Sequence, residues 1–151
     1  MNVVIIAENK KDFLDLLLLA DEQENMIDKY LDRGTLFALY DNEDLISICV
    51  VTDEGNDTFE IQNIATYQQF QRKGYGRYLI DYVCCYYNVK GSTMIVGTGD
   101  SPGIISFYEN SGFVFTHRIA NYFLEHYVEP IFEAGAQLKD KVYLKRDLRG
   151  A

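Results

Sequence analysis

The chain has no tryptophan, only two prolines and only three cysteines. It also lacks any apolar run of the ~18 residues that a membrane-spanning helix needs. The cysteines are Cys49, Cys84 and Cys85. Two adjacent cysteines cannot form an unstrained disulfide with each other. One further thiol does not complete a metal-ligand set. The expected state is reduced, in a cytoplasmic protein, with no metal. The N-terminus, MNVVIIAENKKDF, has no basic leader segment and no small-residue cleavage site, so no signal peptide is expected. Cations are scarce as well: 14 Lys and Arg face 23 Asp and Glu, for a net charge of −9. That balance argues against a nucleic-acid binder, whose footprint is a basic face. It is compatible with a cationic substrate such as an amine.

At 151 residues the chain is long enough for one domain with its own core, and no linker or repeat divides it, so 1–151 is read as a single unit. Val3 begins a short β-branched run, a strand. Asn9 is a candidate N-cap, and Phe13, Leu14, Leu17 and Leu18 form a helical stripe. Met26, Ile27, Tyr30 and Leu31 form a second stripe, predicting a helix over 22–33 that stops at Gly34. Strand patterns follow over 35–40, 45–52 and 59–66, joined by turn-rich DNED and DEGND, as in an antiparallel meander. A helix over 74–87 presents Leu79, Tyr82, Val83 and Tyr86. A strand over 93–97 comes next. Ser101 and Pro102 are the N-cap and first residue of another helix, which ends at Gly112. Strands over 113–116 and 142–145 close the chain, and 120–138 carries no clear pattern. The order β-α-α-β-β-β-α-β-α-β-β describes an α/β (α+β) layered domain built on a mixed, mostly antiparallel central sheet flanked by helices.

One stretch, QFQRKGYGRYLIDYV (69–83), stands apart in so acidic a chain. Arg72 and Lys73 precede Gly74 and Gly76 at the mouth of a helix. Helix N-termini present free N–H groups and partial positive charge, and glycine lets an anion approach the backbone. Spacing removes several anion sites. A dinucleotide fingerprint needs a small residue where Leu79 stands, and a P-loop needs Lys-Ser/Thr where Arg77 and Tyr78 stand. A Gln-x-x-Gly-x-Gly loop directly after a strand remains.

In its context that loop resembles a known family. EIQNIATYQQFQRKGYG (60–76) is similar to the acyl-CoA-binding motif of the GNAT superfamily of N-acetyltransferases, and SPGIISFYENSGF (101–113) to the superfamily helix ending in Tyr-x-x-x-Gly-Phe. GTGDS (97–101) and HYVEPIFE (126–133) resemble a subset of small bacterial members whose substrates are poorly defined. The resemblance spans nearly the whole chain. It implies an acetyl-CoA co-substrate, no metal, and an amine acceptor on a small molecule or protein, with direct transfer in a ternary complex. Dimers are common in the superfamily, which makes a homodimer an expectation. The resemblance places the coenzyme's diphosphate on the backbone around Gln71, Arg72, Lys73, Gly74, Tyr75 and Gly76, with Arg77 nearby. It places the pantetheine arm along Ile64, Ala65 and Thr66. Many members have Asn where Ser101 stands, so Ser101 is read as a cofactor contact or a helix cap.

Acetyl transfer needs a neutral amine, a stabilised oxyanion and a protonated leaving thiol. Neutralising a lysine-like amine at pH 7 costs about 4.6 kcal/mol. Glu60 matches a glutamate that some members use as base, and alternatively it is a solvent-facing strand residue. Tyr108 matches the tyrosine that protonates the thiolate, and alternatively it is one more core aromatic. His117 and His126 could each act near neutral pH. His126 and Glu133 are candidate contacts for the acceptor. Cys84 and Cys85 are read as core packing. Two other readings stay open: a non-catalytic acyl-CoA-binding regulatory module, and an acyltransferase with another acyl donor or a hydroxyl acceptor.

Overall fold

Residues 1–149 are described in a computed structural model. Strand β1 (Asn2–Ile6) leads through a single 3-10 turn into helix α1 (Leu14–Ala20) and a one-turn helix α2 (Glu24–Ile27). Strands β2 (Thr35–Asp41), β3 (Asp44–Gly55) and β4 (Thr58–Thr66) follow. Next come α3 (Tyr75–Tyr87), β5 (Thr93–Gly99), α4 (Pro102–Asn110) and β6 (Val114–Ile119). A short helix α5 (Tyr122–His126) and a two-stranded hairpin, β7 (Phe132–Glu133) and β8 (Ala136–Gln137), precede the last strand, β9 (Lys141–Asp147). Seven strands form one sheet in the order β1-β2-β3-β4-β5-β9-β6. Every pairing in it is antiparallel except β4 with β5. No helix among the described residues is long and apolar enough to cross a membrane.

The sheet separates two cores. Val83, Cys84, Met94, Val96, Val142 and Leu144 pack under α3 on one face. Leu16, Leu17, Ile27, Ala38, Ile48 and Val50 pack under α1 and α2 on the other. Period-two alternation sends the intervening residues of each strand the other way. Glu60 sits opposite Thr52 and Ile95 in the ladder, so it faces the α1 side. Gly97, Lys141 and Tyr143 share that face.

Several expectations need correction. The helix expected over 22–33 is one turn of α-helix, after which bonds of the i→i+3 and i→i+4 kinds alternate up to Gly34. The Lys10 ammonium donates to the carbonyls of Leu31, Asp32 and Gly34 at 3.0, 3.2 and 2.6 Å, holding that end in place of helical bonds. Gly34 serves close approach rather than a left-handed stop: a Cβ there would lie 2.6 Å from the Val50 side chain and 2.9 Å from the Tyr30 carbonyl. Asn9 precedes a 3-10 turn and makes no side-chain cap bond. The buried stripe of α1 holds Leu16 and Leu17, and that of α3 holds Leu79, Ile80, Val83, Cys84 and Tyr87, with Tyr82 exposed. Cys84 is core, as expected, but Cys85 is exposed. The unassigned 120–138 segment contains α5 and the β7–β8 hairpin.

Candidate active site

β4 and β5 pair only from Thr58–Thr93 to Ile61–Val96 and then part. Through this split runs a cleft of about 940 Å³. At one end it is lined by Gln71, Arg72, Gly74, Gly76 and Arg77. At the middle it is lined by Ile64, Thr66, Ser101 and Tyr108. At the far end, on the α1 side of the sheet, it is lined by Asp21, Asn63, Tyr122, Tyr127 and Lys141.

The loop end has the form of an anion site. Arg72 and Gly74 hold left-handed φ values of 62° and 88° on either side of Lys73. Such alternation turns successive N–H groups into a concave nest. The first backbone bond of α3 runs from the Tyr78 N–H to the Gly74 carbonyl, 3.0 Å, which leaves the N–H groups of the preceding turn free of helical partners. A Cβ on Gly74 would meet nothing within 4 Å, so the space beside it is open. A Cβ on Gly76 would lie 3.3 Å from the Phe107 ring, so this glycine seats the loop against α4. A diphosphate fits this cradle.

Side chains around the loop divide into two groups. Arg72 and Lys73 are exposed, although Lys73 does not line the cleft. Arg77 lies 3.7 Å from Asp81, whose other oxygen binds Arg146 at 2.8 Å. The Gln71 amide is spent on the carbonyl of Thr66 at 3.0 Å. Tyr75 turns its hydroxyl to Asp41 at 2.9 Å. Both brace the loop and leave only their backbone to a ligand.

Ile64 and Thr66 line the split, whereas Ala65 points into the α1 core. Ser101 occupies the N-cap of α4 and its carbonyl accepts from Ile105 at 3.1 Å, but its hydroxyl makes no cap bond and it lines the cleft instead. Tyr108 lines the cleft from α4, edge-on to Phe107 at 5.2 Å and to Phe113 at 5.7 Å. Burial pushes its phenol well above the ordinary range, so it stays protonated across the physiological span.

Glu60 is neither a cleft-lining group nor a solvent-facing one: it is 8% exposed and set behind the wall. Burial raises its carboxyl, against the opposing field of Lys141. A carboxyl raised by burial costs stability once it ionises. The loss develops as pH rises from its ordinary 4.5 through the folded value and is then constant. Glu60→Gln is therefore expected to be more stable than the parent at pH 7, with the gain vanishing below about pH 4.5. Denaturant melts at several pH values would check this, and an equal gain at pH 4 would overturn it.

His126 does not line the cleft. Its Nδ1–H donates to the Tyr122 carbonyl at 2.9 Å, and its ring stacks on Tyr122 at 4.3 Å. His117 stacks on Tyr143 at 4.8 Å. Both histidines thus support tyrosines rather than reach the cavity. Glu133 does line the cleft, at its exposed rim.

Sequence reasoning missed a polar group at the far end. The Asp21 carboxylate accepts from Tyr127 at 2.7 Å and from Tyr30 at 3.2 Å. The Tyr30 oxygen in turn accepts from the Asn63 amide at 3.0 Å, which also donates to the Leu17 carbonyl. Burial raises the Asp21 carboxyl. Asp21 and Tyr127 lie 106 residues apart, so no local pattern announces the pair.

Comparison with known proteins decides the family. The family model described as an acetyltransferase (GNAT) domain matches residues 32–115, more than half of the chain. This chain belongs to the GNAT acetyltransferase family. It is similar to an uncharacterized N-acetyltransferase, YvbK, of Bacillus subtilis (strain 168), 36% identical over 143 residues, which cover 93% of this chain and 92% of that one. A Bacillus subtilis acetyltransferase solved in complex with CoA is 34% identical with a TM-score of 0.87, the match covering 97% of each chain. A GNAT acetyltransferase from Elizabethkingia anophelis solved with acetyl-CoA bound is 33% identical with a TM-score of 0.88, covering 97% of this chain and 98% of that one. As a family member the chain is an acyltransferase of the N-acetyltransferase type, and its mixed sheet is the GNAT sheet.

Proposed function

We propose that this acetyltransferase moves an acetyl group from acetyl-CoA to a primary amine of a small molecule or protein, directly within a ternary complex. The observation that carries the reading is the split between β4 and β5, where one cleft joins an anion-binding loop to a polar pocket across the sheet. Two relatives of similar fold hold CoA and acetyl-CoA, which supports the same co-substrate here.

Bound acetyl-CoA supplies a thioester whose carbonyl carbon is open to attack. The loop N–H groups around Arg72, Lys73, Gly74, Tyr75 and Gly76 cradle the diphosphate, and Arg77 adds charge beside it. The unpaired edge of β4 at Ile64, Ala65 and Thr66 orders the arm, and a backbone donor there steadies negative charge on the carbonyl oxygen, an effect typically worth about 3–4 kcal/mol. Ser101 and Tyr108 close the cleft from α4. Tyr108 holds a proton at its phenol oxygen for the departing sulfur and recovers one from solvent. Glu60, set back from the cavity, takes the amine's proton through intervening water. The carbon–nitrogen bond forms as the carbon–sulfur bond breaks.

A thermal-shift titration with acetyl-CoA tests this, followed by thiol release with a panel of amines. At about 100 Kd the ligand should add about 2.7 kcal/mol of stability. At least one amine should release thiol. No shift at millimolar acetyl-CoA would overturn the reading. A shift without thiol release from any amine would leave a binding module in place of an enzyme.

A further inference from the structure

The far end of the cleft contains an ammonium that the proposed chemistry does not use. Lys141, at the start of β9, is half-buried and lines the cavity. Its Nζ sits over the ring of Tyr122 at 4.6 Å and over that of Tyr143 at 5.0 Å. Each of those rings is itself stacked on a histidine, His126 and His117 respectively. The cation is therefore held in place by faces that accept charge but no strong hydrogen bond. Among the described residues it forms no ion pair and donates no hydrogen bond.

The two carboxylates whose fields reach it do not bind it. Asp21 is occupied by Tyr30 and Tyr127, and Glu60 is set behind the wall. Space for Lys141 comes from β5. A Cβ on Gly97 would collide with the Lys141 Cε and, at 2.8 Å, with the Tyr143 ring. A larger residue at Gly97 would displace the lysine. The ammonium lies on the α1 face of the sheet, across from α3, so it is not part of the diphosphate cradle.

We infer that Lys141 binds a carboxylate on the acetyl acceptor, so that the acceptor is an amino acid or a similar amine bearing a carboxylate. This rests on the acetyltransferase reading above and deepens it. A fixed ammonium with unused donors in a partly desolvated pocket is a ready partner for a carboxylate, because a charge-assisted hydrogen bond to it costs no rearrangement.

The test uses the whole protein saturated with CoA, which binds without reacting. Thermal shifts are recorded with the protein amino acids, with their carboxamides and with their decarboxylated amines. At least one amino acid should stabilise the complex, with an apparent affinity at least ~10-fold above that of its carboxamide and of its amine, the scale of one charge-assisted contact. The same compound should show that preference in kcat/KM by thiol release. Lys141→Met keeps the stem on the two rings and should erase the preference through KM. Lys141→Arg should retain most of it. In both variants the shift with CoA alone should match the parent, which separates this role from a structural one. Equal response to amino acids and their carboxamides, no response to any amino acid, or a preference that survives in Lys141→Met would each overturn the inference while leaving the acetyltransferase reading intact. Loss of the CoA shift in the parent protein would overturn both.

Discussion

Replacing Tyr108 by Phe is expected to lower kcat about a hundredfold, at the lower end of what a positioned general acid contributes. Affinity for acetyl-CoA should stay within about twofold, because the substitution removes one oxygen and no backbone donor. Stability should not fall. The ring packs edge-on against Phe107 and Phe113, and a Phe ring keeps both contacts. The hydroxyl meets no hydrogen-bond partner among the described residues, so none is orphaned by its loss. Because burial raises the phenol, the parent's kcat should show no alkaline loss from Tyr108 ionising within the working range. Steady-state kinetics with acetyl-CoA titrations on both proteins check the claim, and an undiminished kcat in Tyr108→Phe would remove the residue from the acid role.

The second large effect is at Gly74. Gly74→Asp should weaken acetyl-CoA binding at least about a hundredfold. The Cβ itself finds open space, so no clash is involved. The added carboxylate stands where the diphosphate is proposed to sit, and two unit charges about 4 Å apart near a protein surface repel by roughly 4 kcal/mol. The φ of 88° adds a backbone cost, though Asp and Asn tolerate left-handed geometry better than other side chains do. Gly74→Asn is thus the matched control, with the same shape and backbone demand but no charge. It should lose far less affinity than the Asp variant. Unchanged binding in Gly74→Asp would sink the diphosphate assignment, and equal losses in both variants would attribute the effect to the backbone.

These two positions are the ones local sequence rules could reach. Glycines flanked by cations after a strand encode a left-handed turn and a free helix mouth within six residues. The same holds for the helix from Pro102 to Asn110, where a proline at the first position and Gly112 at φ 91° mark both ends. The meander of β2, β3 and β4 follows equally from turns and alternation. Their physics is short-range: backbone conformation, capping and periodicity act between near neighbours.

The far end of the cleft was hidden for the opposite reason. Glu60 alternates with its neighbours like a surface strand residue, but in the assembled sheet it lies between Thr52 of β3 and Ile95 of β5 and is buried. The parting of β4 from β5 has no residue of its own; it appears when a parallel pair stops bonding after Ile61 and Val96. Gln71 and Tyr75 have the chemistry of ligands, but their side chains are claimed by the carbonyl of Thr66, five residues back, and by Asp41, 34 residues away. Asp21, Tyr30 and Tyr127 meet from three segments, and Lys141 finds its two rings on α5 and its own strand. The fold class, the glycine turn at the mouth of α3 and the tyrosine of α4 could be read from the chain alone, since each is written in adjacent residues. Which charged side chains line the far end of the cleft follows from burial and partnership across the whole chain, and such contacts have no period in sequence.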